Sequence, residues 1–163
     1  MKTLLIVWHS RTGGSRQMAE AAALAARELG EVKVRLLTAE AAQAEDLAAA
    51  DGYVFVCPEN LAAISGQMKE FFDRTYYPVL ERLNGRPYAI MVCAGSDGDG
   101  AVRQIARIAT GWRLKQVADP IVVNTAAQTP EAILAPKTID QAALDRCGEL
   151  GAALAAGLAM GVF

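Results

Sequence analysis

Residues 8–16 read WHSRTGGSR, and they are dense in groups that can donate hydrogen bonds. Gly13 and Gly14 are adjacent, Ser10, Thr12 and Ser15 carry hydroxyls, and the stretch has no aspartate or glutamate. Paired glycines let a backbone curl so that successive N–H groups point inward. Ser15 or a neighbour can cap a following helix, whose first N–H groups and positive dipole end face the same point. Such a loop suits an anion, and a phosphate above all. The alternative is a strand-to-helix turn that needs glycine and a cap and binds nothing.

Several phosphate chemistries are missing their residues. A P-loop needs Gly-Lys-Ser/Thr where this loop has Gly-Gly-Ser, and no G-x-G-x-x-G fingerprint is present here. A receiver domain needs an acidic cluster where Trp8, His9 and Ser10 stand, and a low-molecular-weight phosphatase needs a cysteine before the loop. The loop is built to hold a phosphate rather than to transfer one.

The elements that must position this loop are short apolar runs alternating with helical patterns. The runs are TLLIVW (3–8), VKVRLL (32–37), GYVFVC (52–57), YAIMVC (88–93) and a weaker KQVADPIVV (115–123). Between and after them, helical patterns cover Ser15–Leu29, Ala44–Ala49, Gly66–Leu83, Asp99–Trp112 and Asp140–Met160. This alternation predicts βαβ units and a parallel sheet. Runs one, three and four are apolar throughout, as strands covered on both faces are. Run two alternates Val32, Val34 and Leu36 with Lys33 and Arg35, which suits an edge. The expectation is an α/β three-layer sandwich on a five-stranded parallel sheet of order 2-1-3-4-5, with residues 1–163 forming one domain. In such sheets ligands sit beyond the carboxyl ends of the strands where the order reverses. The loops after strands one, three and four (HSRTGGS, PENLAAIS and AGSDGDG) should therefore converge.

The totals agree with a folded globular chain. Of 163 residues, 53% are apolar and 21% charged, and the net charge is −2, so nothing suggests a nucleic-acid surface, which would need clustered Lys and Arg. MKTLLIVWHS has too short an apolar core for a signal peptide and no small-residue cleavage site follows. The uncharged end, LGAALAAGLAMGVF, is shorter than a membrane span and reads as a buried terminal helix. Cys57, Cys93 and Cys147 are odd in number and far apart, which suits reduced thiols in the cytoplasm.

With these residues in view, the chain resembles the flavodoxin superfamily. HSRTGGSRQMAE is similar to its loop for the phosphate of FMN. CPENLAAISGQMKEFFDR (57–74) resembles the segment after strand three in NAD(P)H-dependent FMN reductases and in tryptophan-repressor-binding-protein type quinone reductases. The matching residues are Pro58, Glu59 and Asn60, then Ser65, Gly66, Met68, Lys69, Phe72 and Asp73. CAGSDGDG (93–100) resembles the third flavin loop. The resemblance implies a flavodoxin-like, FMN-binding oxidoreductase. Ser10, Arg11, Thr12, Gly13, Gly14 and Ser15 would take the phosphate. Pro58, Glu59, Asn60, Leu61 and Ala62 would line the isoalloxazine, and Ala94, Gly95, Ser96, Asp97, Gly98 and Gly100 would close its far edge and the ribityl chain. NAD(P)H is the implied co-substrate, a quinone or similar small molecule the implied acceptor, and a homodimer the implied assembly. A redox partner protein replaces the small acceptor if the chain is a flavodoxin-type electron carrier. Neither nucleic acid nor membrane is an implied partner.

Electron carriers of this kind usually stack an aromatic residue on the flavin, and neither PENLAAIS nor AGSDGDG contains one. A net charge of −2 is also weak for steering toward basic partners. Both features favour an open flavin face where a nicotinamide could stack, although Tyr76, Tyr77 and Trp112 could supply a wall from elsewhere. Among single residues, His9 is a candidate proton donor but reads better as a polar strand end. Glu59 could accept from a flavin N–H or face solvent. Lys69 and Asp73 have the spacing of an intrahelical pair. Asp97 and Asp99, among glycines, suit turns better than a metal. Cys57 and Cys93 read as small buried residues rather than redox thiols. Arg11 and Arg16 are either solvated or attract the phosphate of NADPH.

Overall fold

β1 (Thr3–Trp8) is buried along its centre because it lies inside the sheet, paired in parallel with β2 (Lys33–Thr38) on one side and β3 (Gly52–Asn60) on the other. The computed structural model describes residues 1–163. β3 pairs in parallel with β5 (Pro87–Ala94), and β5 with two short segments, β6 (Lys115–Gln116) and β7 (Ile121–Asn124). β6 and β7 are one edge strand interrupted at Asp119–Pro120, where proline cannot donate to a ladder. Set aside β4 (Ala63–Ile64), an antiparallel hairpin partner of β3, and the order is the expected 2-1-3-4-5.

Alternation along the strands divides the core in two. Leu4, Ile6, Val54, Val56, Ala89 and Met91 face α1 (Gly14–Glu28) and α6 (Gln141–Met160). Leu5, Val7, Tyr53, Phe55, Ile90 and Val92 face α2 (Ala44–Ala49), α3 (Gly66–Thr75) and α4 (Asp99–Gly111). These are the three layers of a flavodoxin-like fold. The apolar end of α6 is spent on burial, with Leu154, Ala155 and Leu158 in the core, and no helix is long and apolar enough to cross a membrane.

Two expectations need correction. The helix expected over Gly66–Leu83 stops at Thr75, because Pro78 disfavours helical geometry at Tyr77 and has no N–H to give. Tyr76 and Trp112 form no wall for a ligand. Trp112 is fully buried at the far end of α4, its Nε1 donating to the Tyr76 carbonyl at 3.0 Å, with the Tyr76 ring stacked on it. Two elements were not anticipated: β4 and a short helix, α5 (Pro130–Leu134).

Candidate functional site

The first loop is delivered by the carboxyl end of β1. Gly13 has φ +94°, a left-handed conformation that favours glycine, and precedes α1 with no side chain capping the helix. Its own N–H donates to Ser10 Oγ at 3.0 Å. The amides of Gly14, Ser15 and Arg16 open the helix and, like those of Arg11 and Thr12, have no acceptor within the chain. Ser15 corrects the capping expectation: it is the second residue of α1, and its Oγ is buried with no hydrogen-bond partner. An orphaned buried hydroxyl costs roughly 1–3 kcal/mol, and here it lies among amides that are also unsatisfied. This donor set suits the phosphate of FMN. Gly14 has a second reason to be glycine, since a Cβ there would stand 2.6 Å from Cys93 Sγ.

A strap over residues 125–139 runs past this loop. The Lys137 amide donates to the Thr12 carbonyl at 2.8 Å. Gln17 on α1 donates through Nε2 to the carbonyls of Gly13 (2.9 Å) and Lys137 (2.7 Å), and its Oε1 accepts from the Ile139 amide (3.0 Å). α5 lies within the strap, capped by Thr129 and started by Pro130 at its first turn, and Lys137 Nζ donates to the carbonyls at its end. A cavity of about 400 Å³ lies between this first loop and Leu134 and Pro136, lined also by Trp8, Ser10, Arg11, Thr12 and Gly13.

On the other side, β3 and β4 form a hairpin whose two turn residues, Leu61 (φ +51°) and Ala62 (φ +63°), are both left-handed. That turn is normally supplied by Asn-Gly, and non-glycine residues hold it at a cost of roughly 1–3 kcal/mol each. Glu59 neither faces solvent nor is left free for a flavin. Its carboxylate accepts from the amides of Gly98 (2.9 Å) and Ala101 (3.1 Å), capping α4. The hairpin sits so close to α4 that a Cβ on Gly100 would be 2.0 Å from the Ala62 carbonyl oxygen. Asp97 serves a turn, accepting from the Asp99 amide at 3.3 Å.

The three loops do converge. Arg11 and Thr12, Pro58 to Asn60, and Ala94 and Gly95 line one narrow cleft of about 60 Å³, together with Thr125, Ala127, Ile133 and Lys137 of the strap. Leu61, Ala62, Ser96, Asp97, Gly98 and Gly100 flank the cleft without lining it, and Gly14 and Ser15 are buried and line neither the cleft nor the cavity beside it. The sequence reading did not single out Gln17, Lys137 or the strap. Thr129-Pro130-Glu131 is a legible helix start, but nothing distinguishes Gln17 from other polar helix residues.

The remaining candidates have quiet roles. His9 is half-buried with Nδ1 2.8 Å from Ser65 Oγ, and its pKa is lowered, desolvation outweighing the Glu40 charge. Burial pushes the Cys57 thiol up to about 12 and raises that of Cys93, so neither is a ready thiolate. Lys69 pairs with Asp73 at 2.6 Å within α3.

A sequence model described as NADPH-dependent FMN reductase matches residues 40–128. A protein named flavodoxin from Aquifex aeolicus is 34% identical over 100 residues, covering 61% of this chain and 52% of that protein. An NAD(P)H dehydrogenase (quinone) from Acidithiobacillus ferrooxidans is 32% identical over 95 residues, covering 46% and 48%. The chain thus spans about half the length of the curated relatives it matches. Among solved structures, a flavodoxin, WrbA-like protein from Agrobacterium tumefaciens superposes with a TM-score of 0.75 at 18% identity, covering 99% of both chains, a likeness of fold. From the extent of the family match, and with a donor set that suits the phosphate, the chain belongs to the NADPH-dependent FMN reductase family and its cofactor is FMN.

Proposed function

We propose that this chain acts as one FMN-binding domain that oxidises NAD(P)H and reduces a small acceptor of quinone type. FMN, when bound, supplies the redox chemistry, taking hydride from a nicotinamide and passing electrons on. The chain's share is placement. The curled segment Ser10–Ser15 holds the phosphate through free amides and the Ser15 hydroxyl. Pro58–Ala62 and Ala94–Gly100 fix the ring edge mainly through backbone, since Glu59 is committed to α4. No aromatic side chain stands in either ring-side loop, which leaves a face for the nicotinamide and then the acceptor to occupy in turn. Catalysis in this reading comes from orientation and preorganised donors, with no side-chain nucleophile.

The buried, partnerless Ser15 hydroxyl at the start of α1 carries the cofactor half of this reading. The test is steady-state NAD(P)H oxidation by the FMN-loaded protein with quinone, azo and nitro acceptors. Sustained turnover with at least one is expected, and none with any of them contradicts the oxidoreductase reading. The relative named flavodoxin favours a second reading, an electron carrier serving a protein partner. A flavin that NAD(P)H does not bleach but a reductase protein does would establish it.

A further inference from the structure

Away from the phosphate loop, the surface carries a second concentration of unpaired donors. Arg103 and Arg107 are exposed, one turn apart on the same face of α4, and neither is in an ion pair. Lys69, itself paired with Asp73 at 2.6 Å, stands across a groove of about 640 Å³ between α3 and α4, with Gln104 and Thr110 along it and no carboxylate among its lining residues, so the two arginines are its free cations. In a chain of net charge −2 this is a local excess of cations. The comparable groove between α1 and α6 is rimmed by Glu20, Glu28, Asp145 and Glu149 and would repel an anion.

The basic groove is joined to the ring-side loop. Gln104 Oε1 accepts from the Ile64 amide at 2.9 Å, tying the groove wall to the hairpin that carries Pro58–Ala62. From Arg103 to Thr110 it follows α4 away from that hairpin for about 10 Å. We propose that this groove holds the 2′-phosphate of NADPH's adenosine while the nicotinamide lies at the ring-side loops. A guanidinium pair one turn apart matches the forked donors that a phosphomonoester accepts. The alternatives near the first loop are less suited: Arg16 lies 3.9 Å from Glu20, and Arg11 lines the cavities at the FMN phosphate loop. The inference rests on the NAD(P)H reading above and adds a selectivity: NADH lacks the group the groove would take.

The test is calorimetric titration of the FMN-loaded protein with adenosine 2′,5′-bisphosphate and with adenosine 5′-monophosphate, in wild type and in Arg103→Gln/Arg107→Gln. The bisphosphate should bind at least about tenfold tighter in wild type, and the double variant should lose that advantage while keeping its FMN affinity. Equal affinity for the two nucleotides in wild type, or an advantage that survives the double substitution, overturns the assignment. Bleaching of the bound flavin by NADPH is scored separately. Its absence counts against the oxidoreductase reading and leaves the nucleotide comparison standing.

Discussion

Two helices, α1 and α4, begin at the carboxyl end of the sheet beside the same cleft, and they treat their free amides in opposite ways. At α4 the Glu59 carboxylate already occupies the helix start, bonded to the amides of Gly98 and Ala101. The first turn of α1 has no acidic residue, and the amides of Gly14, Ser15 and Arg16 keep company with a partnerless buried hydroxyl. Both starts carry the same dipole and the same orphaned donors. What separates them is whether the chain supplies its own anion. The α4 end is a structural joint that locks a strained hairpin against a helix, and the α1 end keeps free the donors that we propose for a ligand's phosphate.

The substitutions that probe this contrast differ in size. Gly100→Ala should be the most damaging, because the Cβ meets a backbone carbonyl at 2.0 Å and the hairpin must move. A loss of about 3 kcal/mol in urea unfolding is expected, and a small loss would mean that the hairpin is free to shift. Glu59→Ala removes two charge-assisted bonds and strands their amides, costing about 2 kcal/mol, whereas an unchanged midpoint would deny the joint its role. Gly14→Ala should cost about 1–2 kcal/mol through its clash with Cys93 Sγ. Because the Cys93 Cβ would lie 3.6 Å away, an ordinary contact, Cys93→Ala should relieve most of that cost in a double-mutant cycle. Additive losses would show that Gly14 is needed for another reason.

The smallest effect is a pH dependence at His9, whose folded pKa lies below 6.5. The unfolded chain takes up the proton first, so stability present above pH 6.5 is lost as pH falls toward the folded pKa. Unfolding midpoints should drop between about pH 7.5 and about pH 5.5, and His9→Gln should shrink that drop. An identical drop in the variant would place its origin elsewhere.

The layers and the strand order were legible because they rest on periodicity. TLLIVW, GYVFVC and YAIMVC read as interior strands, and all three are buried in the structure. The convergence of three loops followed from topology alone. Less legible were features set by long-range contacts. Glu59 meets α4 from 39 residues away, and Gln17 ties Gly13 to Lys137 across 120 residues. The Leu61-Ala62 turn carries no glycine to announce its left-handed backbone. Ser15 or a neighbour is the expected cap because serine favours that position, whereas Gly13 takes it and leaves the Ser15 hydroxyl two residues too far along the helix to serve.

The central claim is that the α1 start, with Ser15, grips the phosphate of FMN. Its most direct test compares dissociation constants for FMN and for riboflavin, which lacks the phosphate, in wild type and Ser15→Ala. Wild type should prefer FMN strongly, and the variant should weaken FMN about tenfold while leaving riboflavin affinity unchanged and raising apoprotein stability, since the orphaned hydroxyl is gone. Equal binding of the two flavins by wild type, or a variant that weakens both alike, would contradict the account.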